Sequence, residues 1–74
     1  MIIQSVLFSI NFFTIPECIK WLRLHNLHYN KVDITKNYYR WRQINPLQLK
    51  HEGYSHYFTK PINNGKILLI EAYK

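Results

Sequence analysis

Apolar and polar positions alternate along this chain with two different periods. Ser5-Val6-Leu7-Phe8-Ser9-Ile10 places Val6, Phe8 and Ile10 on one face of an extended strand, because successive side chains of a strand point to opposite sides. The period then lengthens. Ile15, Cys18, Ile19 and Leu22 are spaced by three and four residues, the stripe of a helix facing a core, with Trp21 and Leu24 at its flanks and Lys20 and Arg23 outward. Thr14-Ile15-Pro16-Glu17 starts that helix as a capping box: the Thr14 hydroxyl accepts from the Glu17 amide and the Glu17 carboxylate reaches back. Pro16 loses no intrahelical bond in the first turn. Asn26, tolerant of the left-handed conformation, is the predicted stop.

The two-residue period returns in Tyr29 to Thr35 and in Tyr38 to Ile44, predicted to form a hairpin. A two-residue loop at Lys36-Asn37 pairs Thr35 with Tyr38, Ile34 with Tyr39, Asp33 with Arg40 and Val32 with Trp41. Each apolar residue then meets an apolar one, whereas a three-residue loop would set Val32 against Arg40 and mix the faces. Asparagine suits the positive φ of tight hairpin turns; Lys36 suits it less. Asn45-Pro46 ends the strand, and Leu47 to Ser55 reads as a loop or a short helical turn over Leu47 to Lys50. His56 to Ile62 is a further strand that Pro61 confines to an edge or an end. Asn63-Asn64-Gly65 is a turn, and Lys66 to Tyr73, nearly continuous in apolar residues, is a last strand with a central position. The order β-α-β-β-β-β predicts a single α+β domain over residues 1–74, one helix packed on a mainly antiparallel sheet of four to five strands.

With 74 residues the core is small and depends on efficient packing. The single cysteine excludes an internal disulfide framework and fits a reducing compartment. The apolar stretch from Met1 to Phe13 is too short to span a bilayer and lacks the basic start and cleavage site of a signal peptide, so an intracellular, non-membrane protein is expected. Ten Lys and Arg against four acids leave a net charge of +6, which favours polyanionic or acidic partners or simply keeps a small protein soluble.

The polar face of the hairpin carries Lys31, Asp33, Thr35, Tyr38, Arg40 and Arg42. Sheet-based nucleic-acid binders use cations for phosphates and aromatic rings for bases. In the register above Lys31 lies opposite Arg42, a like-charge pair that invites an anion. Against this, Asp33 offsets Arg40, and only Tyr38 offers an exposed ring. Lys31, Tyr38, Arg40 and Arg42 are therefore candidate contacts for nucleic-acid phosphates or another polyanion, with an ordinary solvated face as the alternative. Tyr39 and Trp41, on the other face, are assigned to the core.

No enzyme is expected. Glu17 is engaged by the cap and Asp33 by an arginine, two glycines leave no phosphate-binding loop, and Cys18 has no histidine within reach. His25 and His28 are separated by the helix end and no soft ligand completes a set with them, so no metal or cofactor is expected. Tyr54-Ser55-His56-Tyr57-Phe58-Thr59-Lys60 is an aromatic stretch beside the edge strand, and exposed edges recruit other chains. Tyr54, Tyr57 and Phe58 are candidates for a protein contact; the alternative buries one of Tyr57 and Phe58 and leaves the other half exposed.

Ser5-Val6-Leu7-Phe8, Thr14, Trp21-Leu22, His25, Lys31-Val32-Asp33, Thr35, Asn37-Tyr38-Tyr39-Arg40 and Arg42-Gln43, with Pro46, Thr59-Lys60 and Asn64-Gly65, form a spaced pattern over most of the chain. In this pattern the chain resembles a group of short, largely uncharacterised proteins encoded by tailed phages and by large DNA viruses of protists. It departs from them at Asn26, where they carry glycine after the helix, and at Trp41, where they tend to carry phenylalanine. The resemblance implies a viral accessory or virion-associated protein, acting in host cytoplasm, nucleus or virion, and supplies no catalytic residue. Two functions stay open: a basic binding module for nucleic acid or another polyanion, and a virion structural or host-factor-binding protein working through an aromatic edge strand.

Overall fold

A computed structural model describes residues 1–74 as five strands and two helices: β1 (Ile2–Ser9), α1 (Ile15–Leu24), β2 (Val32–Ile34), β3 (Tyr38–Arg42), α2 (Pro46–His51), β4 (His56–Ile62) and β5 (Ile67–Tyr73). All five strands join one antiparallel sheet in the order β2-β3-β1-β5-β4. The α+β architecture is therefore as the periodicities predict. β1 and β5 are interior, and β4, which contains Pro61, lies at an edge. Proline lacks the ladder N–H, and at an edge its position can be one whose N–H would have pointed to solvent.

α1 is built by its termini. Thr14 N–H donates to Glu17 Oε1 at 2.9 Å and Glu17 N–H donates to Thr14 Oγ1 at 3.4 Å, which completes the capping box. Asn26 takes φ +56°, with Leu27 N–H donating to Leu22 O at 2.9 Å and Asn26 N–H to Arg23 O at 3.1 Å. Those two bonds are the left-handed helix stop, and Leu27 packs against the core as its apolar anchor. The region Leu47 to Ser55, open in the sequence, takes its helical alternative. Asn45 caps α2 by accepting from Leu47 N–H at 2.8 Å. Gly53, at φ +90°, ends it with the same pair of bonds: Tyr54 N–H to Leu49 O and Gly53 N–H to Lys50 O.

The core beneath α1 consists of Val6, Phe8, Cys18, Leu22, Trp41 and Ile67, all buried. Phe8 sits at its centre, edge-to-face with Phe13, Trp21 and Trp41 at centroid distances of 5.4, 5.6 and 5.6 Å. Each such contact adds about 0.5–1.5 kcal/mol beyond area burial. Leu49 and Ala72 are also fully buried but lie outside this cluster. Ala72 alternates with Glu71 and Tyr73, so it belongs to the sheet face away from α1, the face on which α2 lines a cleft with Tyr57, the cross-strand neighbour of Ala72.

The β2–β3 register is the one the pairing argument predicts: Val32 with Trp41, Asp33 with Arg40, Ile34 with Tyr39. Three expectations need correction. β2 covers Val32–Ile34 and not Tyr29 to Thr35, and β3 ends at Arg42, short of Ile44. The ladder stops at Val32–Trp41, so Lys31 and Arg42 do not form a cross-strand pair. Neither Lys36 nor Asn37 has positive φ. Instead the Thr35 hydroxyl accepts from Tyr38 N–H at 3.0 Å while Thr35 N–H donates to Tyr38 O at 2.9 Å. A turn without positive φ splays its strands, in keeping with so short a ladder.

Candidate functional site

The two candidate surfaces, the β2–β3 hairpin and β4, lie at opposite edges of the sheet. The hairpin surface belongs to the β2–β3 side. Arg40 Nη2 contacts Asp33 Oδ2 at 3.2 Å, the only ion pair in the molecule. Both side chains are more than a third exposed, so the pair contributes well under 1 kcal/mol. The Arg40 Nε is buried without a hydrogen-bond partner. Arg42 and Lys31 are exposed and have no carboxylate within reach; Tyr38 is half-buried.

This face is less polar than the hairpin alone suggests. Its cross-strand neighbours continue it: Arg40 lies opposite Leu7, which lies opposite Leu68, and Arg42 lies opposite Ser5, which lies opposite Ile70. Leu7, Leu68 and Ile70 are half-buried. The arginines thus border an apolar stripe, a feature visible only once the strand order is known.

Behind the hairpin, side chains replace missing ladder bonds. Gln43 Oε1 accepts from His28 N–H at 2.7 Å and Gln43 Nε2 donates to His28 O at 2.9 Å. Trp41 Nε1 donates to the Tyr29 carbonyl at 3.2 Å, and Trp41 itself is 1 % exposed. The core assignment of Trp41 therefore holds. No simple periodicity announces the role of Gln43, which depends on the loop that it ties down.

β4 forms the other surface. Six of its seven residues are exposed, with Tyr57 at 45 % and Phe58 at 59 %. Neither is core, so the alternative that buries one of them fails: the core beneath α1 reaches β4 only at Ile62, away from both rings. Tyr57 lies opposite Ala72 and Phe58 opposite Glu71, so the two rings stand on opposite faces of the strand. Phe58 meets the Tyr73 ring edge-to-face at 5.3 Å. The hydrogen bond to the Glu71 carboxylate, at 3.0 Å, raises the Tyr73 phenol above its ordinary pKa. Tyr54 is half-buried, with Lys74 Nζ 5.2 Å from its ring centroid.

The groups considered for chemistry have other occupations. Burial, reinforced by the nearby Glu17 charge, pushes the Cys18 thiol up to about 12, so it is neutral at physiological pH. The His25 ring stacks on Trp21 at 3.8 Å, with its Nδ1 2.7 Å from the Trp21 carbonyl oxygen. No helix is long and apolar enough to cross a membrane. Compared with protein-family models, with curated proteins and with solved structures, the chain matches none.

Proposed function

We propose that this chain is a small non-enzymatic binding protein that engages an extended segment of another protein along β4. The observation that carries this reading is the uncovered edge: seven residues of strand, six exposed, with a partly exposed aromatic ring on each face. An incoming strand would take main-chain hydrogen bonds from the edge and pack side chains against Tyr57 on one face and Phe58 on the other. The resemblance to phage and protist-virus proteins supports a virion or host protein as the partner. The test is affinity capture with the tagged chain from expressing or infected cells. Phe58→Asp should abolish capture of the bound protein, whereas Arg40→Glu with Arg42→Glu should leave it intact. The reverse pattern would sink this reading, and thermal melts of both variants guard against a folding artefact.

A second reading, phosphate or polyanion binding through Lys31, Arg40 and Arg42 beside Tyr38, keeps support from two unpaired cations, Lys31 and Arg42, and from the net charge of +6. It predicts weak, steeply salt-dependent binding. Fluorescence polarisation at low salt with random DNA and RNA is the measurement, and no binding tighter than about 100 μM would end it.

A further inference from the structure

Beside β4, on the face away from α1, an open-sided cleft of about 370 Å³ lies between α2 and the strand. Pro46, Leu47 and Lys50 form one wall; Tyr54, Ser55 and Tyr57 form the other. Leu47 is 67 % exposed although it belongs to a helix whose other leucine, Leu49, is fully buried. An edge strand alongside a short helix thus leaves an apolar slot within reach of any chain that pairs with β4.

Charge narrows what fills it. Lys50 lines the cleft, Lys74 lies over the Tyr54 ring, and Lys60 projects from the other face of β4, where alternate side chains of a paired strand would meet it. None of the three has a carboxylate within ion-pairing distance, since Asp33–Arg40 is the only ion pair present. Of the two acids in this half of the chain, Glu71 is buried and Glu52, at the end of α2, forms no ion pair. Resting on the edge-capture reading above, we infer that the occupant is an acidic extended peptide. It pairs with β4, seats one apolar side chain between Leu47 and Tyr57, and sets flanking carboxylates against Lys50, Lys60 and Lys74. A second copy of this chain fits poorly, because each copy brings a net charge of +6.

The test is selection of a random dodecapeptide display library on the immobilised full chain, followed by titration of the enriched peptides into isotope-labelled protein. The expected peptides carry one apolar residue flanked by aspartate or glutamate and shift the amides of residues 56–62 together with those of Leu47 and Tyr54. Lys50→Glu with Lys74→Glu should weaken them about tenfold or more, as like charge replaces opposite charge. Lys50→Arg with Lys74→Arg should retain them. Enriched peptides that shift the β4 amides without acidic bias, or an affinity untouched by the glutamate pair, overturn the acidic class and leave edge capture standing. Peptides that leave residues 56–62 unperturbed, or no enrichment at all, overturn both. Concentration-dependent dimerisation mapped to β4 makes a second copy the occupant and overturns the inference.

Discussion

β2 and β4 close the same sheet at opposite sides, and they do so by different means. β2 has three residues, and the approach to it is held by side chains of the neighbouring segment: Gln43 on both backbone groups of His28, and the Trp41 indole on the Tyr29 carbonyl. β4 has seven residues, no fully buried side chain and no comparable tether. Unpaired strand edges are a hazard that proteins limit by shortness, charge or proline. The β2 side uses shortness and anchoring. The β4 side relies on Pro61 and Lys60 alone, leaving most of its length open. That asymmetry suits the edge capture proposed for β4: the rest of the sheet is fixed while one strand stays available.

The asymmetry should be plainest in stability. Trp41→Ala empties the core beneath α1 and removes the Tyr29 tether, a loss of about 3–5 kcal/mol. In a domain this small that approaches the whole folding free energy, so urea titration followed by circular dichroism should find the variant largely unfolded. Phe58→Ala on the opposite edge should cost less than about 1 kcal/mol, because most of the ring is already in water. Equal losses at the two positions would show that β4 is anchored after all.

A finer cut separates anchoring by side chains from anchoring by the core. Gln43→Ala deletes two hydrogen bonds to His28 without touching the buried cluster, for about 1–2 kcal/mol in total. Amide exchange of His28 to Ile34 should accelerate while residues 56–62 exchange as before. Acceleration spread evenly over the sheet would mean that the two edges open together.

Much of this arrangement can be read along the chain, and the parts that cannot share a cause. The capping box, the Asn26 stop, the β2–β3 register and the edge position of β4 all follow from local chemistry or from pairing neighbours in sequence. The register follows because a one-residue slip would mix Val32 with Arg40. What escapes is set by contacts between distant segments. Tyr39 and Trp41 on one face suggest a polar, charged opposite face, yet β1 lies beside β3 and β5 beside β1, and they extend that face with Leu7, Leu68 and Ile70. Neither the exposure of both Tyr57 and Phe58 nor the cleft between α2 and β4 is visible before α1 and α2 are placed on the sheet. The shortness of β2 escapes as well, because the Thr35 hydroxyl satisfies the turn in place of positive φ.

Acid should act on one half of the molecule. Hydrogen bonds from the Thr14 backbone and hydroxyl lower the Glu17 pKa beneath its ordinary value of 4.5. The stabilisation is fully present above the unfolded-state value and is lost as pH falls through the lower, folded one. A melt series from pH 7 to pH 2 should therefore show the capping contribution disappearing below about 4.5, and Thr14→Ala should flatten that part of the profile. Because α1 covers the central strands and not β4, the low-pH loss of amide protection should begin in the first turn of α1 and spare residues 56–62. Loss beginning at β4 would contradict the division.

The smallest effect on folding should come from Pro61→Thr, and it bears most directly on why one edge stays open. A proline in an edge strand turns its missing N–H outward, where an incoming chain would seek a donor. Threonine restores that donor, favours extended backbone and leaves the exposed position chemically mild, so stability should change by less than about 0.5 kcal/mol. Self-association should nevertheless rise, seen as light scattering at concentrations where the natural sequence stays dispersed, and adding Lys60→Thr should raise it further by removing the remaining charge. Removing the ion pair at the other side, Asp33→Thr on β2 with Arg40→Thr on the adjoining β3, should produce no such rise, since the three paired residues of β2 offer too little edge to template a strand. If the β2 variant associates as readily as the β4 variant, shortness is not what closes that side, and the Asp33–Arg40 charges were keeping it apart.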